Sequence, residues 1–272
     1  MVKRVLALFF LSLNLLFGDI VDEKIKSLVD SPTYAKNKAF IDAATSPKSD
    51  YLRGNNEVDS IKLIKTLKDN GILKLFFKSP KELSISFKTK SNPNFFVKVM
   101  NDSLVNIGYY KYITQEADYN GEDFVWTISL VSEYITDPIV LNEELKKSGS
   151  MIVDVIRESE TKWIYVVDME SAKLNIASLL QVDEYRLKRS LYAHWLDVSG
   201  VKKLQISSSA LNSWYPYIAY YDRSLNLLSV QKIDSKTANL TLDIAPKCAY
   251  IKISDLYSLK NVKDDLVLKP IR

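Results

Sequence analysis

Residues 137–167 have the sequence DPIVLNEELKKSGSMIVDVIRESETKWIYVV, and this stretch decides the predicted fold class. Pro138 predicts the first turn of a helix, and Gly149 predicts its end, because each residue suits the backbone at that position. Strands are predicted over Met151–Arg157 and Trp163–Val167, on either side of a polar turn. The stretch therefore predicts a helix followed by a β-hairpin.

The same order of elements occurs twice upstream. The glycines that end the predicted helices are Gly71, Gly108 and Gly149, spaced 37 and 41 residues apart. The two upstream hairpins are predicted from Ile72–Lys78 with Leu83–Lys88 and from Tyr109–Glu116 with Phe124–Val131. Three units in the same order predict a repeat, and no unit is large enough to bury its own core. Residues 57–170 are therefore predicted to form helix-plus-β-hairpin repeat modules with small antiparallel sheets. This architecture resembles the POTRA-like and secretin-N-like modules of bacterial envelope proteins.

Residues 191–272 change to short apolar strands at roughly ten-residue spacing, which predicts a β-sandwich. Residues 217–222 read YIAYYD and residues 242–254 read LDIAPKCAYIKIS. These segments resemble the galactose-binding-like jelly rolls of carbohydrate-binding modules and phage receptor-binding proteins. The resemblance covers about a quarter of the chain and implies a fold more than a ligand. The predicted fold class is α+β, with the repeat modules followed by an all-β, jelly-roll-like C-terminal domain.

Three further segments are residues 1–18, 19–56 and 171–190, and each has its own predicted role. Residues 1–18 combine Lys3 and Arg4 with an apolar run that ends before Gly18, which is the layout of a signal peptide. Residues 19–56 are predicted to form a helical N-terminal segment, and residues 171–190 a connecting helix. The mature chain, cleaved near Gly18, is expected to be periplasmic or secreted and to lack a transmembrane segment. The Lys-, Asn- and Ile-rich composition resembles that of exported proteins of epsilonproteobacterial type.

Composition excludes several classes of function. The chain has one Cys and one His, which rules out an internal disulfide and Cys- or His-rich metal clusters. Without residues 1–18 the net charge is only +2, which indicates no electrostatic footprint for nucleic acid. Neither a Gly-rich phosphate loop nor a nucleophile motif near His194 is present. No cofactor, metal site or catalytic residue is therefore predicted.

The predicted binding residues are the aromatic side chains Trp214, Tyr215 and Trp195. Aromatic rings on a β-sandwich stack on sugars or anchor a protein partner, since they bury much area at low entropic cost. Tyr217 and Tyr221, in the same cluster, are expected to fill the core.

The predicted function is a non-enzymatic scaffold or adaptor that binds other envelope proteins. The alternative is a module that binds cell-wall glycan or peptidoglycan, and a weaker one is a carboxylate-dependent hydrolase. The sequence leaves the oligomeric state open.

Overall fold

The computed structural model describes residues 20–54 and 56–272, and the chain divides after Lys173 into two compact units. The predicted signal peptide at residues 1–18 lies outside the described residues. We refer to the described residues up to Lys173 as the N-terminal unit and to Leu174–Arg272 as the C-terminal unit.

After the first, the helices of the N-terminal unit begin at polar capping residues. They are α1 (residues 20–28), α2 (Ser31–Ala44), α3 (Ser60–Asp69), α4 (Pro93–Asn106) and α5 (Pro138–Lys146), with a 3-10 helix over Lys48–Tyr51 between α2 and α3. Asp30, Asp59, Asn92 and Asp137 each accept a hydrogen bond from a backbone N–H in the first turn of the following helix. Such caps satisfy donors that have no partner within the helix, which explains where α2 to α5 begin.

One five-stranded sheet runs through the N-terminal unit. Its strands are β1 (Phe76–Thr89), β2 (Ile113–Tyr119), β3 (Phe124–Tyr134), β4 (Met151–Arg157) and β5 (Lys162–Asp168), in the order β2-β3-β1-β5-β4. The central strand β1 pairs antiparallel with β3 and parallel with β5. The prediction of separate small antiparallel sheets is therefore wrong, because these strands form one mixed sheet.

The first predicted hairpin, around Pro80, is also wrong. Residues 76–89 form the single long strand β1, whereas the two later helix-plus-hairpin units are present as β2–β3 and β4–β5. The pairing of β1 with β3 is interrupted between Phe76 and Lys81. Pro80 lies in this interruption, where its missing N–H removes no hydrogen bond from the ladder. The Ser-Pro pair therefore marks an irregularity within a strand and not a turn.

The core of the N-terminal unit lies on one face of this sheet. Leu83, Ile85 and Phe87 alternate along β1 and are buried, while α4 packs on α5 and α3 packs on α5 and β4. Gly149 follows α5 with a φ of 74°, so the predicted helix end is confirmed. A β-carbon at Gly149 would lie 2.5 Å from the carbonyl oxygen of Ser171, so the close approach of the chain also requires glycine here.

Two sheets make up the C-terminal unit. The strands are β6 (Ala177–Ser178), β7 (Tyr185–Leu187), β8 (His194–Asp197), β9 (Lys203–Ser208), β10 (Pro216–Tyr221), β11 (Leu227–Lys232), β12 (Asn239–Asp243), β13 (Tyr250–Asp255) and β14 (Leu266–Ile271). One sheet has the order β11-β10-β13-β8-β6 and the other β12-β9-β14-β7. Both sheets contribute side chains to one hydrophobic cluster, including Leu204 on β9 and Ile251 on β13.

The connecting helix predicted over residues 171–190 is wrong. This segment contains no helix, and it supplies the short edge strands β6 and β7 to the two sheets of the C-terminal unit. Leu179 and Leu187 are both buried in the core of that unit. The apolar residues that suggested a helical face are therefore anchors for an extended segment.

None of the helices within the described part of the chain has the length and apolar character needed to cross a membrane.

Candidate functional site

Trp214, the first of the predicted binding residues, is a core residue. Its side chain is 0% exposed and belongs to the hydrophobic cluster between the two sheets of the C-terminal unit. The indole Nε1 donates a hydrogen bond of 2.9 Å to the carbonyl oxygen of Ser254. A ring in this position stabilises the fold and presents no surface to a ligand.

Tyr215 lies at the end of the sheet, outside the core. Its ring is half-buried and meets the ring of Tyr257 edge to face, with 5.2 Å between centroids. The backbone N–H of Tyr215 donates to the carboxylate of Asp255 at 2.8 Å. Tyr257 is 62% exposed, and its hydroxyl donates to Asp234. Half-buried Tyr215 and exposed Tyr257 therefore form a small aromatic pair.

Trp195 lies elsewhere on the same sheet. It is on β8 opposite Lys252 of β13, and Lys252 in turn is opposite Ala219 of β10. From strand spacing and rise, its backbone is on the order of 15 Å from that of Tyr215. The three predicted residues therefore do not form one site: Trp214 is buried, and the other two lie apart.

A larger aromatic surface surrounds Trp195. Residues directly paired across antiparallel strands point to the same side of a sheet. Ile218 and Tyr220 of β10 point into the core, so Tyr217 and Tyr221, which alternate with them, point to the opposite side. Among the side chains that pairing places on this side are six that we call the outer aromatic face: Trp195, Tyr217, Tyr221, Lys232, Tyr250 and Lys252, of which Tyr250 is buried.

Ring contacts organise the outer aromatic face. The rings of Trp195 and Tyr221 lie 4.8 Å apart between centroids, at an interplanar angle of 38°. The Nζ of Lys252 lies 5.6 Å from the centroid of Trp195, and that of Lys232 lies 5.6 Å from the centroid of Tyr217. These distances allow cation–π attraction. The result is a half-exposed aromatic platform with two ammonium groups above it.

Two tyrosines of this face, Tyr221 and Tyr250, have a raised pKa. Burial raises the pKa of Tyr221, and the neighbouring Tyr217 raises it further. Burial also raises the pKa of Tyr250, and Asp197 adds to that shift while Arg223 opposes it. A neutral phenol both donates and accepts a hydrogen bond. The face therefore combines flat apolar rings with polar groups at their rims.

Sequence reasoning placed Tyr217 and Tyr221 in the core, and the structure corrects this. Both residues are half-exposed on the outer aromatic face, whereas Tyr220 between them is buried and bonds Gln231 through its hydroxyl at 3.0 Å. The available signal was the alternation Ile218, Tyr220 in β10, which fixes the inward positions. Three tyrosines lie among the five residues 217–221, so both sides of β10 carry apolar side chains. The alternation is therefore hard to recognise in the sequence.

The N-terminal unit has a groove and an exposed sheet edge. The groove has a volume of about 560 Å³, and its lining includes Phe76, Tyr134 and Val140, which are large apolar side chains exposed to solvent. The edge strand β2 is exposed along its whole length, with a bulge between Thr114 and Glu116. Neither surface contains residues predicted as binding residues from the sequence.

The single histidine and the single cysteine of the chain, His194 and Cys248, both lie in the C-terminal unit. His194 is half-buried on β8, and burial lowers its pKa. Cys248 is buried, its Sγ donates to the carbonyl oxygen of Tyr250, and burial raises the pKa of the thiol. Among the described residues, no three His, Cys, Asp or Glu side chains lie close enough together to hold a metal ion.

The comparisons with known proteins found partial structural likenesses, including the following two. No protein-family model matches the chain, and no curated protein matches its sequence. The lectin domain of lectinolysin complexed with Lewis B antigen is 17% identical, with a TM-score of 0.23, over 33% of this chain and 71% of that one. The structure of accessory secretory proteins 1, 2 and 3 of Streptococcus pneumoniae is 16% identical, with a TM-score of 0.20, over 33% and 80%. Both TM-scores are too low to indicate a shared fold or ligand.

Proposed function

We propose that this protein binds glycans through the outer aromatic face of its C-terminal unit. The observation that carries the proposal is the pair Trp195 and Tyr221, whose rings lie 4.8 Å apart on the side of the sheet that faces away from the core. An aromatic pair on a half-exposed sheet face is costly to hydrate and has no role in filling the core.

The chemistry of the outer aromatic face suits a sugar. A pyranose ring presents C–H groups on one face and hydroxyl groups around its edge. The C–H groups pack on the electron-rich face of an aromatic ring, where both surfaces lose water. The hydroxyls meet the phenol groups of Tyr217 and Tyr221 and the hydroxyl of Ser254, which lies opposite Tyr217 on β13. Stacking supplies affinity, and these hydrogen bonds supply orientation.

The rest of the proposal concerns the setting of this site. We infer an exported, periplasmic or secreted protein, because residues 1–18 have the charge and apolar pattern of a signal peptide. We infer a non-enzymatic protein, since His194 has no nucleophile motif near it in the sequence. We interpret the C-terminal unit as a jelly-roll-like β-sandwich, which is supported by the single core that its two sheets share.

The envelope-adaptor function stays a prediction. The exposed edge strand β2 is the element that would pair with a strand of another protein. The bulge in β2 and its acidic residues Glu116 and Asp118 are, however, features that protect sheet edges from such pairing. We therefore favour the outer aromatic face as the functional surface.

A binding screen with one paired set of variants tests the glycan function. The purified protein is assayed against immobilised oligosaccharides, and the positive glycans are titrated with the double variant Trp195→Ala, Tyr221→Ala. The control is Tyr215→Ala, Tyr257→Ala, which removes an equally aromatic pair at the end of the same unit. We expect the first variant to lose at least roughly tenfold in affinity and the control to bind as the wild type does.

Two results would overturn this proposal. One is that no glycan in the screen binds the wild-type protein. The other is that the Trp195, Tyr221 variant binds as tightly as wild type, which would place the site elsewhere. Because both side chains are partly buried, thermal unfolding of each variant is measured alongside, and Tyr217→Ala serves as a milder second variant if the double variant unfolds.

A further inference from the structure

The outer aromatic face carries positive charge that is not neutralised within the fold. Lys252 lies at the centre of the face, between Ala219 and Trp195, and Lys232 lies at its edge opposite Tyr217. Neither ammonium forms an ion pair with another described residue. Each lies above an aromatic ring instead.

Two acidic side chains near the outer aromatic face accept hydrogen bonds from other groups. Asp197 lies on the same side of the sheet, opposite Tyr250, and accepts the backbone N–H of Ser199 at 2.8 Å. Asp234, two residues after Lys232, accepts the hydroxyl of Tyr257. Neither carboxylate forms an ion pair with the two lysines, so this side of the sheet holds two ammonium groups against the one carboxylate of Asp197.

The geometry of the lysines leaves them able to bind a ligand. An ammonium has three donors, and contact with a ring face engages only one side of it. A lysine commonly covers apolar surface with its stem while its charged end stays in water. The backbones of Lys232 and Lys252 are roughly 12 Å apart, from strand spacing and rise. One ligand that spans several sugar units would therefore contact both.

We propose that the glycan bound by the outer aromatic face is an anionic one, with carboxylate or sulfate groups that pair with Lys252 and Lys232 while its sugar rings stack on Trp195 and Tyr221. This inference rests on the proposed glycan function and names the ligand class of the same site. A neutral glycan would leave two ammonium groups covered by ligand without a counter-charge, which is unfavourable. An anionic glycan satisfies both charges and draws the ligand toward the face.

The test compares two polymers with the same sugar backbone. Binding of the purified full chain to dextran and to carboxymethyl-dextran is measured by titration at two salt concentrations. We expect carboxymethyl-dextran to bind at least roughly tenfold more tightly, and this preference to shrink at high salt. The double variant Lys232→Gln, Lys252→Gln should remove the preference, and Lys232→Arg, Lys252→Arg should retain it because the charge is kept. The charge-matched control Lys236→Gln, Lys260→Gln alters exposed lysines outside the face and should behave as wild type.

The outcomes separate this inference from the proposed function. The anionic inference is wrong if the neutral and the acidic ligand, whether polymers or glycans from the screen, bind equally well and the Lys→Gln pair has no effect. The glycan function would still stand. If the control pair weakens binding as much as the Lys232, Lys252 pair does, binding follows net charge and the inference is again wrong. If the acidic polymer binds but the Trp195→Ala, Tyr221→Ala variant binds it equally well, the outer aromatic face is not the site and both proposals fail.

Discussion

The indole of Trp214 is tied by a hydrogen bond of 2.9 Å to the carbonyl oxygen of Ser254, a residue on β13 whose side chain belongs to the opposite face of the sheet. The bond connects the segment before β10 to the next strand in the sheet and satisfies a polar atom inside the core. Trp214 and its neighbour Tyr215 therefore have different roles, although they are adjacent aromatic residues.

Substitution of Trp214 should destabilise the C-terminal unit. Trp214→Ala should lower the free energy of unfolding by about 3–5 kcal/mol, because it leaves a cavity in the core and removes the hydrogen bond to Ser254. Tyr215→Ala, at a half-buried ring, should cost roughly 1 kcal/mol or less. Urea denaturation of the two variants measures this contrast. Equal stabilities would show that Trp214 is not a core residue.

Asp255 should be a second structural anchor. Its carboxylate accepts the backbone N–H groups of Tyr215, Tyr257 and Ser258 and the side-chain amide of Asn261. Asp255→Asn replaces one acceptor oxygen by a donor that faces other donors, so we expect a loss on the order of 2–3 kcal/mol. The comparison variant is Asp234→Asn at an exposed carboxylate, for which denaturation should show little change.

Two glycines distinguish backbone strain from steric contact. Gly121 has a φ of 99° and open space around it, so Gly121→Ala should cost about 1–2 kcal/mol from backbone strain alone. Gly149→Ala adds a contact of 2.5 Å with the carbonyl oxygen of Ser171, and it should cost clearly more. Thermal melts of both variants test the order. A milder effect at Gly149 would mean that the segment containing Ser171 moves away freely.

Tyr220 should make stability depend on pH in the alkaline range. Burial raises the pKa of Tyr220 from 10.0 to about 12. Below pH 10 both the folded and unfolded chains keep this proton, so stability is unaffected. Between pH 10 and 12 the unfolded chain loses the proton while the folded chain keeps it, so the free energy of unfolding falls, by an amount on the order of 2–3 kcal/mol.

Tyr220→Phe provides the matched measurement. This variant lacks the titrating hydroxyl and its bond to Gln231, so it should be less stable than wild type at pH 9. Its disadvantage should shrink as the pH rises to 12. A constant difference between the two proteins across this range would contradict the raised pKa.

Local signals in the sequence predicted much of the N-terminal unit. Pro138 predicted the start of α5 and Gly149 predicted its end, because these residues act through their own backbone preferences. Pro80 misled the prediction, since a proline suits a turn and an interrupted ladder equally well. Only the pairing partner, which is distant in sequence, distinguishes these two cases.

The candidate site was predictable only in part. Trp195 was identified, but Trp214 was assigned to the surface and Tyr217 and Tyr221 to the core. An aromatic residue suits either side of a half-buried strand, so composition does not reveal which way it points. The direction depends on the register between β10 and β13, which no short stretch of sequence encodes.

The parallel pairing of β1 with β5 has a consequence for the order in which the chain acquires structure. Residues 84–88 of β1 pair with residues 162–166 of β5, and this pairing requires both segments to be present. The centre of the N-terminal sheet is therefore among the last parts to form. Such distant pairings slow folding, because chain entropy is lost before the contacts form. A nascent chain that ends before β5 leaves one side of its central strand open, and the N-terminal unit completes its sheet only after nearly all of its residues have been synthesised.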